Sequence, residues 1–434
     1  MTLTIVKTPS EEALGALLDG AQAKLPGKEF SSRRADAVAK FRQDGLPNRR
    51  VEEWKYSDLK RVMPADLSLA GDVSADDVAK QMAVVPRLRG IECDRLVLVN
   101  GVFRADLSAL DALEGKVSII PVAKALEEGT FVLDDPEIAA NDHALNLNTA
   151  LLQDGVIIDV SEGVEVERPI EILSLMIGGG MATTRNRVSV GKGAKAFILE
   201  TFVGDENAYQ VNEAIDFRIA DGASLSVSRL LSEGKNALHL GSTTVVLGEK
   251  SHFEHFTMST GGQFTRNTAF VKFTGEYSDA ELFGATIIGR DQHSDQTLLV
   301  DHAVPNCNSK EQYRTVMDDK AQGVFQGKIF VRQPAQKTDG QMMSQALLLS
   351  EDAAFFNKPE LEIFADDVQC AHGATCGELD EDLLFYLRAR GIPLDQAKKM
   401  LVLAFLAEAV EHVSNESVVE ALEGFIADWL GLDH

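Results

Sequence analysis

Apolar residues recur at three- and four-residue spacing in SEEALGALLDGAQAKL, at Leu14, Leu17, Leu18 and Ala21, which predicts an amphipathic helix capped by Ser10. The first ninety residues keep this helical, turn-rich texture. Within them LPNRRVEEWKYSDLKR carries one of only two tryptophans, Trp54, and reads as a loop anchored by an aromatic plug. From about residue 91 the pattern changes to short β-branched runs broken by Gly, Asp and Asn, as in RLVLVNGVF, GVIIDV, IEILSLMI and RVSVGKGAKAFILETFV. These are strands. They continue almost to residue 370, interrupted by one helix near PEIAANDHALNLNTALL.

The turns between these strands recur. A small residue follows a glycine or a charged residue at Gly193-Ala194, Gly222-Ala223, Lys250-Ser251, Lys320-Ala321 and Asp352-Ala353, and several intervals fall between 26 and 32 residues. Periods of that size mark stacked solenoid units, so a parallel β-helix is preferred to a sandwich. The stretch from 276 to 320 is too long for one unit and breaks the series.

After Gly377 the pattern is helical again. LDEDLLFYLRARG has acids in its first turn, arginines in its last and Gly391 as a stop; Pro393 opens a second helix; SNESVVEALEGFIADWLG adds a third with Val418, Leu422, Phe425 and Trp429 in one stripe. The second helix is apolar on more than one face, so the bundle predicts a protein cover. The resulting division is a helical region at 1–90, a strand region at 91–376 with its β-helix core at about 140–370, and a helical bundle at 377–434.

With 434 residues, 45% hydrophobic and 25% charged, the chain has room for two or three domains and a large core. A formal charge of −25 disfavours phosphate backbones and anionic lipid, which speaks against nucleic-acid and membrane-surface roles. Four cysteines, at 93, 307, 370 and 376, are too sparse for a disulfide framework and fit a reducing compartment. The N-terminal sequence has no export signature, no apolar run reaches the roughly eighteen residues of a membrane span, and the cytoplasm is expected.

Phosphate-loop spacing is missing from GKGAKAF and GGGMATT, and Gly-x-Ser-x-Gly and His-Glu-x-x-His do not occur, so the chain is expected to be neither an ATPase nor one of the common hydrolases. In SHFEHF, His252 and His255 point to opposite faces if the segment is a strand. DQHSDQTLLVDHAVPNC holds His293, Asp295, His302 and Cys307 at a spacing that matches no closed zinc site. The richest stretch is DDVQCAHGATCGELDED. On a strand, Cys370 and His372 share one face, and a thiolate with an imidazole suits iron or zinc. Cys376 joins them only if the chain folds back at Gly373. The alternative is an inert buried cysteine beside a hydrogen-bonded histidine.

The blocks NKPELEIFADDVQCAHGATCGELDEDLLFYLRARGIP, AFLAE, DHAVPNCNSKEQYRTVMDDKAQGVFQGKIFV and QKTDGQMMSQALLLS closely resemble the SufB/SufD family of iron-sulfur cluster assembly scaffolds, from about residue 140 to the end. EEWKYSDLK and the compact length resemble SufD more than its longer paralogue SufB. The resemblance implies a mainly β fold, a right-handed parallel β-helix flanked by helical regions, and a scaffold, not an enzyme. It implies pairing with a SufB-like subunit through the β-helices, docking of a SufC-like ATPase on the C-terminal helices, a homodimer in isolation as a further form, and sulfur delivered indirectly by a desulfurase. Cys370 and His372 match the family's Cys-x-His position at the heterodimer interface, where a partner completes coordination of iron or a transient cluster. Cys376 departs from the family, which commonly has an apolar residue there. The rivals are a β-helix polysaccharide lyase or hydrolase using Asp366 and Asp367, and a purely structural solenoid.

Overall fold

The computed structural model of the chain describes residues 7–110, 113 and 115–432. Strands alternate between two sheets as the chain advances. Among the described residues one sheet has ten strands and the other nine; from Val156–Val160 onward each strand pairs in parallel with the strand two steps on, while at the N-terminal end Asp94–Val99 pairs in parallel with Ile170–Met176 and two short pairs are antiparallel. This is a parallel β-helix with two strands per turn, running for about eight turns from Val156–Val160 to Gln369–Gly377. The register fixes the repeat. Leu238 lies beside Phe264, Phe264 beside His293, His293 beside Gln322 and Gln322 beside Ala354, steps within the 26 to 32 residues read from the sequence.

What holds the repeat in step is a ladder of left-handed turn residues along one edge. Gly163, Gly193, Gly222, Lys250, Tyr277, Asn306 and Lys337 all have φ between 50° and 70°. The amide of Gly222 donates to Glu249 O at 2.8 Å, that of Lys250 to Glu276 O at 2.9 Å and that of Asn306 to Gln336 O at 2.9 Å, so each turn is hydrogen-bonded to the next. The residue after each of the last six is small or short and buried: Ala194, Ala223, Ser251, Ser278, Cys307 and Thr338. A larger side chain there would press on the coil above or below. The apparent break in the series therefore has a simple cause. Lys320-Ala321 and Asp352-Ala353 are turns of the opposite edge, whereas the first edge continues through Tyr277-Ser278 and Asn306-Cys307.

Inside the solenoid, in-register residues stack into columns. Apolar columns such as Val188–Phe217–Val245–Val271–Val300–Ile329 form the main core. Other columns carry ions. Arg229 lies 2.9 Å from Glu200 and 2.8 Å from Glu213, and His239 Nδ1 lies 2.9 Å from Glu233, all fully buried. Charges this deep are tolerated because they are paired.

The two sheets carry different covers. The N-terminal helices pack on the nine-stranded sheet; Trp54 is buried beneath the Arg266 guanidinium, 4.1 Å from it, and Ser57 bonds His293 at 2.8 Å and also Asp295. The first helix, Pro9–Ala21, buries Leu14, Leu18 and Ala21 as expected, but its cap is Thr8, in a capping box with Glu11; Ser10 instead donates to Met63 O at 2.6 Å. Pro9 at the first helical position moves the start back by two residues.

The C-terminal helices pack on the ten-stranded sheet. Val402, Leu406, Val410, Val418, Leu422 and Ile426 cover Leu230, Phe256, Phe283 and Val316. Arg314 pairs with Glu408 and donates to Phe405 O at 3.0 Å, locking helix Leu394–Val410 to the sheet. In helix Glu416–Leu430 the buried stripe is Val418, Leu422 and Ile426, whereas Trp429, expected in that stripe, is exposed. Helix Glu381–Ala389 buries nothing; Leu383, Phe385 and Tyr386 all face outward.

Candidate metal site on the terminal coil

The two ends of the β-helix differ. At the N-terminal end Val117–Pro121 pairs antiparallel with the first coil and covers it. At the C-terminal end Ala354–Ile363 and Gln369–Gly377 are the outermost strands of their sheets, with one free edge each. Core positions that are buried in every earlier coil become half-buried or exposed here. Unpaired strand edges over an uncovered core are a template for another chain.

Cys370 and His372 lie on this last strand. Cys370 is in register with Gly340 and His372 with Met342, both of which point into the solenoid. The side chains of Cys370 and His372 therefore crown interior columns. His372 ends the column Ile198–Val227–His255–Leu282–Glu311–Met342. The Cys370 thiol lies over Gly340, where a β-carbon would stand at ordinary contact distance, 3.5 Å from Sγ. Cys370 is half-buried and His372 exposed, and a metal bound by both would face the open end.

Burial is the largest influence on Cys370 and pushes its thiol pKa up; the charges of Asp339 and Glu311 push the same way against a backbone contact from Gly340. An unliganded thiol there is protonated at neutral pH, so a metal must displace its proton. Two coils below His372, Glu311 is fully buried beside Ser309, and burial raises its pKa to about 8 against the smaller, opposing contacts of Ser309 and its own amide. Nearby, His302 bonds Ser309 at 3.0 Å and stacks on Phe273, while burial lowers its pKa to about 3. Sequence reading passed over Glu311, whose neighbours come from coils about thirty residues away.

The remaining sequence candidates separate. Strand Gln369–Gly377 is continuous through Gly373, so Cys376 stands six residues from Cys370 along an extended chain, about 20 Å away, and shares no ion with it. His293 and Asp295 face the N-terminal region, His302 faces the interior, and Cys307 is one of the small buried turn residues; they do not converge. His252 and His255 do point to opposite faces, His255 buried inside and His252 outside. Asp366 is exposed, and Asp367 pairs with Lys337 on a turn. That is no acid–base pair.

Comparison with known proteins places the chain in a family. Residues 175–405 match the SUF system FeS cluster assembly SufBD core domain, and residues 23–172 match the SufBD protein N-terminal region. The chain is 30% identical to the iron-sulfur cluster assembly protein SufD of Escherichia coli, over 90% of this chain and 91% of that one. It is 28% identical to an iron-sulfur cluster assembly SufBD family protein of Synechocystis, covering 95% and 94%, and 32% identical to the protein ABCI7, chloroplastic, of Arabidopsis thaliana, covering 86% and 80%. The chain belongs to the SufBD family of iron–sulfur cluster assembly proteins, and is SufD-like within it.

Proposed function

We propose that this chain is a non-catalytic scaffold subunit of a Suf-type assembly complex, and that a SufB-like paralogue covers its last coil. The observation that carries this reading is the open C-terminal end. Met342 is 3% exposed, yet its in-register successor His372 is exposed, because no further coil lies above it. A second β-helix adding its own terminal strands would satisfy the free edges and bury these columns. Cys370 and His372 would then supply two ligands for iron or a nascent cluster, and the partner the others. A Cys–His pair on one strand face suits that cargo, and its incompleteness suits a transient one.

The outward face of helix Glu381–Ala389 supports the second partner. Leu383, Phe385 and Tyr386 are all exposed on a helix with no buried residue of its own, and this apolar surface would dock the SufC-like ATPase. ATP would be used there and not by this chain, and sulfur would reach the assembly from a desulfurase. Among the described residues no helix is long and apolar enough to cross a membrane, in keeping with a cytoplasmic complex. Co-expression of the tagged chain with its paralogue and ATPase tests the reading: a stable complex of all three supports it, and a chain that elutes alone contradicts it.

A further inference from the structure

On the outer face of the ten-stranded sheet, far along the columns from Cys370, one histidine and two carboxylates converge. His252 and Glu254 are two residues apart on strand His252–Ser259 and share its outer face. Glu281, on the neighbouring strand, is in register with Glu254. One ligand atom from each of the three lies within 4.8 Å of the others, and His252 Nε2 stands 4.0 Å from Glu281 Oε2. Three ligands about 2.1 Å from a common ion lie roughly 3.0 to 3.6 Å from one another, so a closing shift of up to about 1.5 Å completes the set. His252 and Glu281 are half-buried and can make that shift.

Glu254 is the fixed member. It is only 3% exposed, and Ser414 donates to its Oε1 twice, from N–H at 3.0 Å and from Oγ at 3.1 Å. Both bonds fall on one oxygen and leave Oε2 for another partner. Ser414 is itself braced by Ser226 at 3.2 Å. Such outer-shell bonds orient a carboxylate ligand before the metal arrives. Lys310, in register with Glu281, places its ammonium over the Phe283 ring, 5.7 Å from the centroid, and makes no side-chain ion pair among the described residues. His252 and Glu281 line a cleft of about 320 Å³, bordered also by Asp279, Asn308 and Lys310, through which water and an ion can enter.

We propose that His252, Glu254 and Glu281 form a binding site for a first-row divalent cation of the Fe(II), Co(II), Zn(II) class, distinct from the Cys370–His372 site. One imidazole and two carboxylates suit borderline metals, and three protein ligands leave positions for water, so the ion exchanges. Because Ser414 lies in the connector between the last two helices, occupancy ties the C-terminal bundle to the β-helix. The inference stands whether or not the terminal coil pairs with a partner.

The probe is Co(II) alone, titrated into the purified chain carrying Cys370→Ser and His372→Ala to silence the other site. One equivalent should bind with ligand-field bands in the visible, and binding should slow amide exchange at residues 411–415. His252→Ala and Glu281→Gln, both at half-exposed positions, should each weaken binding by more than about tenfold while circular dichroism is unchanged. Stoichiometric binding that neither substitution weakens would overturn the assignment. So would weak, non-saturating binding of the parent chain.

Discussion

His372 sits directly above Met342, one coil on in the same interior column, and only the upper of the two meets solvent. Below them the column is buried down to Ile198. The same interior position thus changes from core to surface because the stack ends, and the histidine is placed at that change. A ligand at the last coil of an uncovered solenoid is available to a second chain without any rearrangement of the first.

Docking of the ATPase should depend on the exposed face of helix Glu381–Ala389 and not on the rest of the bundle. Deleting the whole bundle would uncover Phe256 and Phe283, which are fully buried beneath it, and would cause aggregation instead of a clean loss of binding. Phe385, 75% exposed, is the better target. Phe385→Ala should weaken ATPase affinity by about tenfold or more, with pairing of the β-helices and thermal stability unchanged; calorimetry of the purified components reads both.

The turn ladder should respond to backbone strain alone. Gly222 has φ of +68° and nothing within 4 Å of where a β-carbon would stand, so Gly222→Ala meets no clash and isolates the conformational penalty. It should destabilise the chain by about 1 kcal/mol, while Gly222→Asn, which tolerates the left-handed region, should cost less. Urea unfolding of the two variants side by side checks the order.

Much of this architecture was legible in the sequence, because a β-helix writes its repeat into its turns. Gly193-Ala194, Gly222-Ala223 and Lys250-Ser251 carry the pattern openly. Tyr277-Ser278 carries it in disguise, since tyrosine does not announce a left-handed turn, and in Asn306-Cys307 the cysteine reads as chemistry when its role is to be small. The alternation of Cys370 and His372 was equally plain from their spacing. What no local reading could supply is which residues meet across coils. Glu281 reaches Glu254 from 27 residues away, and Glu311 lies under Met342 across a whole turn. Trp429 failed for another reason: a helix with apolar residues on two faces does not say which one the sheet takes.

Glu311 should impose a pH dependence on stability. Its carboxyl titrates near 8 in the folded chain and near 4.5 when unfolded, so between those values the folded state holds a proton that the unfolded state has released. The contribution is therefore intact below about pH 4.5 and is lost as pH rises toward 8. Glu311→Gln removes that loss. The variant should be more stable than the parent at pH 8, on the order of a few kcal/mol, with the difference vanishing toward pH 5; denaturant midpoints across this range measure it.

In the proposed assembly Cys370 and His372 hold iron or a nascent cluster at an interface completed by a partner. The most direct measurement is the iron and acid-labile sulfide content of the co-expressed complex, set against its yield, for His372→Ala, Cys370→Ser and Cys376→Ala. His372→Ala should lower iron and sulfide several-fold at unchanged yield, Cys370→Ser should act in the same direction, and Cys376→Ala should match the parent. Unchanged content in both His372→Ala and Cys370→Ser, or a yield that falls in step with content, would contradict the claim and leave the pair a structural feature of the last coil.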